Sequence, residues 1–227
     1  MKPFIGIMER PEKTRGQNDV TVMYDAVRIA VVKYGGIPLG VVPPTEVCYV
    51  DQVEQEVPKL TEEQKLDLDS ILNLCSGIIL PGGDEVMDYD LYVLDYCWKH
   101  RVPVLGICMG MQAMGVKFSG RMKEIDSFIS HRQKKENYAH DVVLSKDSKL
   151  YDILKTEKFA VNSFHKYMIE DPKIDIVARS LDGVIEAIEK KDHPFFIGIQ
   201  WHPETLLSYD IVSQKLFQSF FETVKKR

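Results

Sequence analysis

Short apolar runs alternate with segments of helical period through the first half of the chain. Phe4 to Ile7 reads as a strand. Val20, Tyr24, Val27 and Val31 recur at i, i+4, i+7 and i+11, which predicts one face of a helix, stopped by Gly35-Gly36. Ile37 to Val42 predicts a second strand, closed by Pro43-Pro44. The stretch Val47 to Lys59 is polar, contains Pro58 and lacks a clear period, so it reads as a loop or a poorly formed helix. Leu68, Ile71, Leu72 and Cys75 restore a helical stripe, and Gly77 to Leu80 is a buried-strand run ending in Pro81-Gly82-Gly83. Leu91, Leu94 and Trp98 mark another helix before the strand Val102 to Ile107. Strands and helices in this order describe a parallel sheet with crossover helices.

After about Gly120 the pattern changes. Ile174, Ile176 and Ala178 alternate with polar residues, and Asp182-Gly183 forms a hairpin turn before Val184 to Ile188. This half reads as partly antiparallel. Phe195 to Gln200 predicts a further strand, and Phe217, Phe220, Phe221 and Val224 a closing helix. No internal repeat or low-complexity tract interrupts the chain. With 227 residues, 44% of them hydrophobic, there is material for one sizeable core, and a single domain over 1–227 is expected.

Charge narrows the partners. A net charge of −5 argues against nucleic acid, whose affinity comes from clustered Lys and Arg, and favours a small molecule. Cys48, Cys75, Cys97 and Cys108 form no C-x-x-C pair, so neither a zinc knuckle nor a redox motif is indicated, and separated thiols fit a reducing compartment. The apolar start ends at Glu9-Arg10, too soon for a signal peptide, and no window approaches a membrane span. A cytoplasmic protein without membrane contact is expected.

The sharpest chemical feature is Gly106-Ile107-Cys108-Met109-Gly110, an apolar strand running into G-x-C-x-G and then a helical stretch. This is the pattern of a nucleophile elbow with sulfur in place of oxygen. Gly106 and Gly110 supply the small neighbours a tight turn needs, and a helix N-terminus favours a thiolate. Alone, the pattern also fits an ordinary buried cysteine. A thiol nucleophile needs a base, and His202 stands just beyond an apolar strand, where Glu204 can accept its other N–H. Gln112 follows Cys108 by one helical turn and can point to the same side. His131, His140 and His165 have no metal-ligand spacing, so no metal is expected, and the charge run 131–137 reads as a solvated face.

These residues resemble the class I glutamine amidotransferase-like superfamily, whose Cys-His-Glu triad lies on a G-x-C-x-G elbow and a later H-P-E. Ordered agreement across nearly the whole chain is most similar to its γ-glutamyl hydrolase branch, including γ-glutamyl-γ-aminobutyrate hydrolases. The blocks are Phe4-Ile5-Gly6-Ile7, Gly36-Ile37-Pro38, Leu80-Pro81-Gly82-Gly83, Asn162-Ser163-Phe164-His165, Asp182-Gly183 with Glu186-Ala187, and Gly198 through Glu204.

The resemblance implies an α/β, flavodoxin-like three-layer sandwich: a mostly parallel central sheet with helices on both faces, and a smaller antiparallel sheet from the C-terminal half. It implies catalytic Cys108, His202 and Glu204, an oxyanion hole from the N–H groups of Gly83 and Met109, and substrate contacts from Gly82, Gln112, Ser163 and His165. The expected reaction is hydrolysis of a γ-glutamyl amide through a thioester, without a cofactor. Two features depart from the pattern: Lys166-Tyr167 after His165, which resembles the folylpoly-γ-glutamate hydrolases, and Gly115 to Gly120, after which the loop is shortened. Both bear on the leaving group. A glutaminase subunit feeding ammonia to a separate synthase, and a non-catalytic binding protein on the same fold, are the competing readings. The aromatic C-terminal helix leaves a homodimer open.

Overall fold

The structure, a computed structural model, describes residues 1–47, 57–133 and 137–227. In chain order its elements are β1 (Phe4–Met8), β2 (Arg10–Lys13), β3 (Asp19–Val22), α1 (Asp25–Lys33), β4 (Ile37–Val41), α2 (Glu62–Leu72), β5 (Gly77–Leu80), α3 (Asp88–His100), β6 (Val104–Ile107), α4 (Met109–Lys117) and β7 (Arg121–Glu124). Then follow β8 (His140–Leu144), α5 (Lys149–Leu154), β9 (Lys158–Val161), β10 (Tyr167–Glu170), β11 (Asp175–Ser180), β12 (Ile185–Glu189), β13 (Phe196–Ile199) and α6 (Ile211–Lys225).

Nine strands form one sheet in the order β4-β1-β5-β6-β13-β12-β11-β8-β9. Pairing is parallel from β4 across to β13 and antiparallel from there to β9. Successive side chains on a strand point to opposite faces, and the sequence exploits this with apolar residues on both. Ile79, Leu105, Ile107, Ile197 and Ile199 join a core under α1, α5 and α6. Their neighbours Ile78, Leu80, Val104 and Phe196 join the core under α2, α3 and α4. The three layers follow directly. Pairing of β7 with β10 adds a small antiparallel sheet from the C-terminal half. Among the described residues, no helix is long and apolar enough to cross a membrane.

Most elements lie where the apolar pattern placed them, and Gly77–Leu80 coincides with β5. One stripe misled. Val20 does not belong to a helix: it lies in β3, which pairs with β2 as a hairpin, and α1 starts only at Asp25. The helical spacing of Val20 with Tyr24 is a coincidence across an element boundary, since Val20 and Val22 equally satisfy strand alternation. Cys75 lies beyond the end of α2, buried against β1 by way of Gly6. Of the stretch Val47 to Lys59, positions 48–56 are outside the described residues, and 57–59 have no regular structure.

The carboxyl ends of β5, β6 and β13 are adjacent, as their parallel pairing requires. Ligand sites of open α/β sheets sit at such ends. Pro81-Gly82-Gly83, Cys108 and His202 all follow these strands.

Candidate active site

Cys108 joins β6 directly to α4 and adopts φ 52° and ψ −107°, a backbone conformation that residues with a side chain rarely take. The turn is held by Cys108 N–H donating to the Ile199 carbonyl at 2.8 Å and by Gln112 N–H donating back to the Cys108 carbonyl at 3.1 Å. Its flanking glycines are a packing requirement. A methyl group on Gly110 would stand 2.1 Å from the Leu80 carbonyl oxygen, and one on Gly106 would stand 2.7 Å from the Gly110 carbonyl oxygen. The thiol is buried, 4.0 Å from the Phe164 carbonyl oxygen, at the positive end of α4.

His202 ends the β13 connection in a fixed pose. Its Nδ1 is 2.8 Å from Oε1 of Glu204. Its backbone is clamped by Asn162, which accepts from His202 N–H and donates to the His202 carbonyl, both at 2.9 Å. Asn162 is fully buried. Nε2 of His202 is buried without a well-formed hydrogen bond among the described residues and turns toward Cys108. Burial by itself would lower the imidazole pKa, but Glu204 and then Cys108 outweigh it and raise it to about 10. Gly82 covers the pair, since a methyl group there would lie 3.1 Å from Cε1 of His202 and 4.0 Å from Sγ of Cys108.

A cavity of about 260 Å³ opens onto these groups. Gly82, Gly83, Gln112 and His165 line it, while Glu12 and Tyr24 of the β2–β3 region and Arg132 and Lys166 form its outer part. Met109 is the first residue of α4, so its N–H has no acceptor within the helix, and Gly83 lies beside it. The guanidinium of Arg132 stacks over Phe164 at 5.6 Å, and Lys166 pairs with Glu124 at 3.2 Å. Arg132 is exposed and also lines the cavity, His131 at the start of the run is buried, and 134–136 lie outside the described residues.

Three of the residues expected to touch substrate have inward commitments. Gln112 lines the cavity, but its Nε2 donates to the Tyr167 carbonyl at 2.8 Å and to Oε1 of Gln200 at 3.2 Å. Ser163 is fully buried, donates its hydroxyl to the His131 carbonyl at 2.9 Å and does not line the cavity. The Ser163 hydroxyl is thus committed to the chain behind the wall. His165 lines the cavity, yet its Nδ1 is 3.0 Å from the Tyr167 carbonyl and its Nε2 3.3 Å from Nδ1 of His131. Burial drives its pKa down to about 3, so the ring is neutral.

Sequence reasoning passed over Arg10, Asp90 and the clamping role of Asn162. Arg10 is buried on Asp90 at 2.6 Å and donates to the Pro81 carbonyl at 3.1 Å, which fixes the start of the glycine loop. The signal available was weak, because a charged residue after a strand ordinarily reads as exposed.

The sequence model of Peptidase C26 matches residues 87–204, which include the elbow and His202-Pro203-Glu204. The γ-glutamyl-γ-aminobutyrate hydrolase of Escherichia coli strain K12 is 27% identical over 251 residues, covering 96% of this chain and 92% of that one. The CTP synthase of Nautilia profundicola is 26% identical over 68% of this chain and 36% of its own length. In three dimensions, the CTPS glutaminase domain of Trypanosoma brucei superposes with a TM-score of 0.65 at 18% identity, covering 100% of this chain and 95% of that one. The chain belongs to the Peptidase C26 family of the class I glutamine amidotransferase-like superfamily.

Proposed function

We propose that this hydrolase cleaves γ-glutamyl amide bonds through a thioester on Cys108. The observation that carries the reading is the strained elbow of Cys108 facing a histidine whose far nitrogen is held by Glu204. Having passed its proton to His202, Sγ attacks the γ-carbonyl, and the oxyanion is stabilised by the N–H groups of Gly83 and Met109. His202, protonated and oriented by Glu204, gives a proton to the departing amine as the C–N bond breaks. Water then attacks the thioester, with His202 as base, and glutamate leaves as Cys108 regains its proton. No step calls for a cofactor. Gly82 and Gln112 bound the glutamyl moiety, and Arg132 suits a carboxylate on the substrate.

The E. coli relative is named for γ-glutamyl-γ-aminobutyrate hydrolysis, which supports the bond cleaved. At 27% identity, and with Lys166-Tyr167 at the mouth, the leaving amine is this chain's own property. A panel of γ-glutamyl amides, including glutamine, scored by kcat/KM with wild type and Cys108→Ala, tests the reading. We expect glutamate release by the wild type alone; equal release by both proteins would refute it. The likeness to CTP synthase favours a second reading, a glutaminase acting for a partner synthase. Glutamine as the best substrate of the panel, together with stimulation by a co-purifying protein, would decide for it.

A further inference from the structure

Behind the cavity wall, His131, His140, His165 and Glu186 place one ligating atom each within 4.8 Å of one another. The His131, His165 and Glu186 side chains are at most 2% exposed and that of His140 is 4% exposed. Nδ1 of His131 is 3.3 Å from Nε2 of His165 and 3.4 Å from Oε1 of Glu186. The same Oε1 is 3.5 Å from Nε2 of His140 and 3.9 Å from Nε2 of His165.

The protons of this cluster lie on its outside. The carbonyls of Asp141 and Tyr167 can only accept, so Nδ1 of His140, at 3.3 Å, and Nδ1 of His165, at 3.0 Å, are the donors. Nε2 of His131 likewise meets the Asp182 carboxylate at 2.9 Å. With His131 neutral and protonated at Nε2, the three inner ring nitrogens are lone pairs facing one another and a carboxylate. A proton on His131 Nδ1 could join one pair of acceptors but not the rest. Nε2 of His140 and both oxygens of Glu186 have no hydrogen-bond partner among the described residues. Buried acceptors left in this way cost free energy, and their convergence with Nδ1 of His131 and Nε2 of His165 calls for a cation.

From this geometry we infer that the protein holds a structural divalent cation of the zinc class, ligated by His131, His140, His165 and Glu186. For ligands at about 2.0–2.1 Å, tetrahedral geometry sets neighbouring donor atoms roughly 3.3–3.4 Å apart; three of the spacings are 3.3, 3.4 and 3.5 Å, and the others, 3.9 Å and up to 4.8 Å, must contract when the cation binds. Neutral imidazoles and one carboxylate suit zinc. Each ring donates its outer N–H to an oxygen, the arrangement that orients histidine ligands. Four protein ligands leave no open position, so the site is structural, and Cys108 chemistry does not run through it. The ligands come from a loop, the start of β8, the segment before β10, and β12. The cation therefore ties Arg132 and Phe164-His165, which wall the cavity, to the sheet.

The test uses the full chain, stripped with a chelator and titrated with Co²⁺ and then Zn²⁺, read by visible absorption and thermal unfolding. We expect one Co²⁺ per chain with the intense d–d bands of tetrahedral coordination, displacement by Zn²⁺, and an unfolding midpoint that rises with Zn²⁺. The bands are lost in His140→Ala and in Glu186→Gln, Co²⁺ affinity falls about 10–100-fold in Asp182→Asn, and Cys108→Ser changes none of this. Absence of the bands and of any midpoint rise in the wild type overturns the inference, even if a variant fails to fold. Bands that survive His140→Ala, or that vanish in Cys108→Ser, overturn it too, the latter by placing the metal at Cys108 and His202.

Discussion

Glu204 Oε1 stands 2.8 Å from Nδ1 of His202, two residues earlier in the chain, and this contact sets the charge of the imidazole. Burial favours the neutral ring, but Glu204 and Cys108 keep it protonated up to about pH 10. Because the folded pKa lies above the unfolded value of about 6.5, the stability this ion pair contributes is complete below that pH. It is lost as pH rises through about 10. The alkaline limb of the kcat/KM profile is expected to fall in the same range. Glu204→Gln should move that limb toward neutrality and lower kcat about 10²-fold or more, as pH–rate profiles of the two proteins would show.

Asn162 makes both halves of the backbone clamp on His202. In Asn162→Asp the acceptor survives and the donor is lost, leaving the buried His202 carbonyl beside a carboxylate. We expect a loss of about 1–3 kcal/mol in denaturant unfolding and a fall in kcat with KM nearly unchanged. A fall confined to KM would show that Asn162 acts on substrate instead.

Backbone strain at Cys108 should be visible in stability. With φ at 52°, a glycine there escapes a cost of about 1–3 kcal/mol, partly offset by its greater freedom in the unfolded chain. Comparing Cys108→Gly with Cys108→Ala removes the thiol from both, so the difference reports the backbone. Equilibrium unfolding should find the glycine variant more stable by about 1 kcal/mol, and both inactive. Gly110→Ala should do the opposite, since its methyl group meets the Leu80 carbonyl oxygen at 2.1 Å and the elbow must shift.

Removing one partner of the buried Arg10–Asp90 pair strands the other charge. Asp90→Asn is expected to cost about 3–5 kcal/mol, measured by unfolding in urea. Arg10→Met with Asp90→Leu should recover much of that loss, because an apolar pair leaves no charge behind. Activity would not recover with it, as Arg10 also holds the Pro81 carbonyl before the glycine loop.

The parallel half of the sheet was legible because strands buried on both faces read as short apolar runs between turns, as in Gly77–Leu80. G-x-C-x-G was legible because a crowded turn excludes side chains at Gly106 and Gly110 whatever surrounds it. Val20 was misread because strand and helix periods coincide over so short a run. Ser163 was placed in the site by the likeness of the Asn162-Ser163-Phe164-His165 block, while its hydroxyl direction is decided by the His131 carbonyl, 32 positions away. The cluster around Glu186 had no local signature at all: its four residues come from separate segments, His140 and Glu186 joined through the register of β8, β11 and β12, and His131 and His165 through the Arg132–Phe164 bridge.

His165 presents its ring to the cavity on one side and its nitrogens to the cluster on the other. The two walls of the cavity are therefore unequal as material for change. On the side of His165, altering a residue to suit a new leaving amine also disturbs what anchors the wall. On the side of Glu12 and Tyr24, the residues belong to a hairpin outside the central sheet and to the turn that follows it. Variation in amine preference among proteins of this design should accumulate on the hairpin, and a library meant to redirect the enzyme would begin there.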